Sequence, residues 1–85
     1  MTARWRIGHD DLSLWIIPEM GTPEKVATVR PNGAGFWWGE TFLDGRWTRT
    51  LLDGGLDHYV RPILAQRLGI DVPPVPPEMR DAVRG

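Results

Sequence analysis

Polar and apolar residues alternate strictly through Arg4-Trp5-Arg6-Ile7-Gly8-His9, the period of a half-buried β-strand. Asp10-Asp11 reads as a tight turn, after which Leu12-Ser13-Leu14-Trp15-Ile16-Ile17 returns as a second strand that Pro18 ends. With Asp10 and Asp11 as the loop, His9 pairs with Leu12, Ile7 with Leu14 and Trp5 with Ile16, on an apolar face. Arg4, Arg6, Gly8, Ser13, Trp15 and Ile17 take the opposite face. Residues 19–24 read as a loop and residues 25–30 as a third strand. Pro31-Asn32-Gly33-Ala34-Gly35 is dense in turn-forming residues.

The clearest local signal lies between residues 35 and 52. Asp44-Gly45 separates two alternating runs, and a type I′ turn needs positive φ at both central positions. A two-residue turn fixes the register: Leu43 faces Arg46, Phe42 faces Trp47, Glu40 faces Arg49 and Trp38 faces Leu51. One hairpin face then carries Phe36, Trp38, Glu40, Phe42, Trp47, Arg49 and Leu51. The other carries Trp37, Gly39, Thr41, Leu43, Arg46, Thr48, Thr50 and Leu52.

Asp53-Gly54-Gly55 breaks the strand pattern. Leu56, Tyr59, Val60, Ile63, Leu64 and Leu68 recur at helical spacing, with Asp57, His58, Arg61, Gln66 and Arg67 on the other side. Pro62 conflicts with a helix interior, so an irregular start and a helix proper from about Arg61 are expected. Gly69 is a natural cap. Val72-Pro73-Pro74-Val75-Pro76-Pro77 should be extended polyproline II, and residues 78–83 could add a short helical turn behind Pro77. The expected fold is therefore α+β: an antiparallel five-stranded meander with one C-terminal amphipathic helix over residues 1–70, then a Pro-rich tail over 71–85. An SH3-like small β-barrel built from the same strands is the alternative.

Composition narrows the function. The 85 residues suit one domain, whose small core must rest on a few large side chains; five Trp meet that need. The absence of Cys excludes disulfides and Cys-based zinc sites, and the longest apolar run, Leu14-Trp15-Ile16-Ile17, is far too short to span a membrane. A soluble, cytoplasmic protein is expected. Net charge is −1, unlike a generic DNA-coating protein, and nine of the ten basic residues are Arg. Arg brings planar, multi-donor contacts and stacks on aromatic rings.

No chemistry-bearing motif stands out. His9 and His58 have acidic neighbours but no metal-ligand spacing. Ser13, the sole Ser, lies in a strand without a nucleophile elbow. Glu40 has Arg49 opposite it and no second carboxylate set for acid–base work. Pro73-x-x-Pro76 has the spacing of an SH3 ligand but lacks a basic flank. No enzyme, cofactor or metal is expected. If the helix covers the apolar face, the opposite one shows Arg4, Arg6, Trp15, Ile17, Trp37, Leu43, Arg46, Thr48 and Thr50. Trp and Arg are the residue types enriched at binding hot spots. The expectation is a non-catalytic module that docks on a larger protein through Trp37, Trp15, Arg46, Arg4 and Arg6, or through Arg61 and Arg67 on the helix. By size and composition it suits an accessory factor or inhibitor of phage or mobile-element type. Single-stranded nucleic acid stacking on the same face is the alternative, and a homodimer closing two such faces is possible.

Overall fold

The computed structural model describes residues 2–32, 36–53 and 60–82. Five strands, β1 (Thr2–Ile7), β2 (Leu12–Ile17), β3 (Glu24–Pro31), β4 (Phe36–Leu43) and β5 (Arg46–Asp53), pair in sequence order as an open antiparallel sheet. β1 and β5 are its two edges, so the sheet does not close into a small barrel. Helix α1 (Arg61–Leu68) packs on β4, and a short helix α2 (Pro77–Ala82) touches β1.

The β4–β5 hairpin has the register that its turn dictates. Asp44 and Gly45 have φ of 53° and 79°, and Leu43↔Arg46, Phe42↔Trp47, Glu40↔Arg49 and Trp38↔Leu51 follow in order. The β1–β2 register differs from expectation by two residues: Trp5 pairs with Leu14 and Ile7 with Leu12. The Gly8 amide donates to the Asp11 carbonyl at 2.8 Å, so Asp11 closes the turn instead of lying inside it. A shift of two residues keeps every side chain on its face. Between β2 and β3, Leu14 pairs with Ala27 but Trp15 pairs with Lys25, which leaves Val26 as a bulge. Without it, Lys25 would stand opposite Ile16, on the covered face.

The core comprises Trp5, Leu12, Leu14, Ala27, Val29, Val60, Leu64, Val72 and Val75. One sheet face is thus covered in two halves. α1 lies over β4, where buried Gly39 and Thr41, with Thr50 of β5, line its seam with Ile63 and Leu64. The proline segment lies against β1, pinned by the Trp5 indole N–H, which donates to the Pro73 carbonyl at 2.8 Å. Val72 and Val75 are as buried as the strand residues, so this segment contributes to the core.

α1 begins at Arg61 with Pro62 in its first turn, where the missing amide costs no helical hydrogen bond. It ends at Gly69, left-handed at φ 67°, whose amide donates to the Ala65 carbonyl at 2.9 Å. The positions expected to extend this helix toward Leu56 lie outside the described residues.

Two substitutions probe this layer. Trp5→Phe keeps most of the ring but loses the donor to Pro73. It should lower unfolding free energy in urea by about 1–3 kcal/mol and speed proteolysis within residues 71–82. The Thr41 hydroxyl is buried with no hydrogen-bond partner. Thr41→Val, nearly isosteric, should therefore leave stability unchanged or raise it by about 1 kcal/mol in the same assay.

Candidate functional site

The other face has no cover among the described residues. Its central row runs Arg6, Ser13, Thr28, Glu40, Arg49 across all five strands, each residue paired with the next. Arg4↔Trp15↔Lys25 and Arg30↔Trp38↔Leu51 flank it, and Phe42↔Trp47 closes the hairpin end.

The aromatic and basic side chains of this face are interleaved. The Arg6 guanidinium lies 4.7 Å from the Trp15 ring centroid and that of Arg49 lies 5.3 Å from Trp38. The Lys25 ammonium is 5.8 Å from Trp47. Each such contact contributes about 0.5–1 kcal/mol at an exposed site. The Phe42 and Trp47 rings meet at 5.4 Å and 57°, a favourable tilted pairing. The Trp15 indole N–H donates to the Ser13 hydroxyl at 2.8 Å, which orients the ring along its strand. Glu40 and Arg49 approach to 3.9 Å, a loose pair with Arg49 half exposed.

Asp11, Lys25, Thr28, Glu40 and Trp47 line an open hollow of about 260 Å³ at the centre of the face. That lies below the usual range of a small-molecule pocket and suits a single inserted side chain. The face holds five basic positions by register (Arg4, Arg6, Lys25, Arg30, Arg49) against two described acidic ones, Glu40 and the hollow-lining Asp11, although the whole chain carries −1. Among the described residues no group of three or more His, Cys, Asp or Glu converges on a common point, and no helix is long and apolar enough to cross a membrane.

The anticipated docking residues separate. Arg4, Arg6 and Trp15 lie on the uncovered face as expected. Trp37 does not: it is half-buried against the core, on the side that α1 covers. Arg46, Thr48 and Thr50 share that side by alternation, Arg46 standing exposed at the hairpin end. The reason is steric. A helix approaches a sheet closely over Gly39, Thr41 and Thr50, and cannot over Trp38, Phe42 and Arg49. Arg61 and Arg67 stand in the first and last turns of α1, with Arg67 at its seam with β4. Sequence reasoning left out Lys25, Arg30, Trp38, Phe42, Trp47 and Arg49 from this face. The signal that could have recovered most of them is the run of small residues at alternate hairpin positions.

No protein-family model, curated protein or solved structure matches the chain.

Because the Glu40–Arg49 pair is loose and partly solvated, Glu40→Gln should change unfolding free energy by less than about 0.5 kcal/mol. A loss above about 1 kcal/mol in urea melts would show a structural role that this geometry does not explain.

Proposed function

We propose that this chain is a small non-catalytic docking module, acting in the cytoplasm, whose uncovered sheet face binds a larger protein. The observation that carries this reading is the face itself: three indoles, each beside a cation, with a hollow of side-chain size that Lys25 and Trp47 help to line. Trp and Arg lose little conformational freedom when they are already stacked, so a prearranged face of this kind reduces the entropy cost of binding. Its basic excess favours a partner surface that is acidic around the contact. The carboxylates of Asp11 and Glu40 in the hollow favour a basic side chain at the centre.

Stacking of single-stranded nucleic acid has one observation in its favour, the local excess of basic over acidic positions on an aromatic sheet. Two features weigh against it. Each indole already has a cation beside it, and a phosphate backbone crossing the middle of the sheet would meet Glu40 and Asp11.

A photo-cross-linking residue at Thr28, in the hollow, is compared with one at exposed Gln66 on α1, in nuclease-treated lysate. A discrete protein adduct from position 28 that position 66 does not give, weakened at least about tenfold by Trp38→Ala, is the expected result. Adducts from position 66 alone would move the docking surface to the helix. Tryptophan quenching by oligo(dT), reversed by moderate salt, would put the nucleic acid reading first.

A further inference from the structure

The two edges of the sheet are treated differently. β1 has α2 beside it and the proline segment bonded to Trp5. β5 is eight residues long, contains no proline, and has no described neighbour on its outer side. The Asp44-Gly45 turn makes Leu43 and Arg46 a hydrogen-bonded pair, so backbone groups of Arg46, Thr48, Thr50 and Leu52 point inward to β4. Those of Trp47, Arg49, Leu51 and Asp53 point outward, unpaired among the described residues. Trp47 and Leu51 are also 42% and 46% exposed. A long, proline-free edge with exposed apolar residues is a template for another strand.

The order of residues along β5 selects the strand that fits. The strand runs from basic Arg46 and Arg49, through Leu51, to acidic Asp53. A parallel copy would set like charges beside one another. An antiparallel copy with its two-fold axis at Leu51 sets Arg49 opposite Asp53 of the second copy and Leu51 opposite Leu51. In this register the outward groups of Arg49, Leu51 and Asp53 all find partners. An axis at Arg49 would instead bring two guanidinium groups face to face. We propose that β5 pairs antiparallel with β5 of a second copy of this chain, centred on Leu51, which joins two sheets into one. The pairing uses the backbone edge of β5, whose Arg49 and Leu51 side chains lie on the docking face, and a self-association test reads it without any partner.

Sedimentation velocity from about 1 μM to about 1 mM spans the range in which such an edge would associate. Wild type should shift from monomer to dimer. The Arg49 and Leu51 amides, fast in hydrogen exchange when dilute, should become protected when concentrated, while Thr48 and Thr50 stay protected throughout. Leu51→Lys places two cations at the axis without touching the β4 ladder and should raise the dissociation constant at least about tenfold. Leu51→Pro removes one outward amide; if it fails to fold, Leu51→Lys, checked by circular dichroism, carries the test. Two results would overturn the proposal: a monomer across the whole range, or a dimer that Leu51→Lys leaves intact, with loss on Trp15→Ala then moving the contact to the sheet face.

Discussion

A helix can lie close to a sheet only where the sheet offers it small side chains, and this constraint sorts the whole molecule. In the β4–β5 hairpin, Gly39, Thr41 and Thr50 alternate with Trp38, Glu40, Phe42, Trp47 and Arg49. The small set receives α1 and places Leu64 in the core; the bulky, charged set is left uncovered. At the other end of the sheet an extended segment covers the core, with the short α2 beside β1. Val72 and Val75 cover Trp5, and the indole N–H fixes the extended segment through the Pro73 carbonyl. Pro73 and Pro74 have no amides to satisfy, so an extended chain can lie on the sheet with few donors left over.

The uncovered face solves a different problem. Three Trp and one Phe on an open sheet surface would ordinarily be an association hazard. Here Arg6, Arg49 and Lys25 lie beside the rings, which lowers their apolar exposure without burying them. The bulge at Val26 takes part, since it turns Lys25 out of the covered layer and toward Trp47. The result is a surface whose rings are partly screened by cations and which presents planar, multi-donor groups.

What could be read from the sequence follows from how local each determinant is. The β4–β5 register was legible because two residues, Asp44 and Gly45, fix it. So were the start of α1 at Arg61 and its end at Gly69, which depend on proline and glycine backbone chemistry within one turn. The β1–β2 register was not, because whether Asp11 sits inside the turn or closes it depends on one backbone hydrogen bond to Gly8. The bulge left one mark in β3, the successive apolar residues Val26 and Ala27, and a single break in alternation does not distinguish a bulge from a strand end. The placement of Trp37 failed for a tertiary reason. Either hairpin face could have been the inner one, and the pattern of aromatic residues pointed the wrong way. Of the candidate site, Arg4, Arg6 and Trp15 were therefore legible and the hairpin half was inverted.

That inversion changes how edge and face relate. With Trp37 outward, the exposed aromatic surface would have centred on β4, away from either edge. With Trp47, Arg49 and Leu51 outward, it reaches β5, whose free backbone groups belong to these same residues. The backbone of β5 faces its open edge while its side chains face the docking surface. Pairing at the edge would therefore not consume the face. It would continue it across the two-fold axis, with Phe42 and Trp47 of each copy on one surface. If the face docks as proposed, two such faces held rigidly in one sheet would bind a repetitive or two-fold partner more tightly than either alone, without any new contact. Rigidity has physical support here, since the side chains on both sides of the seam are already held by ring, cation and backbone contacts within their own sheet.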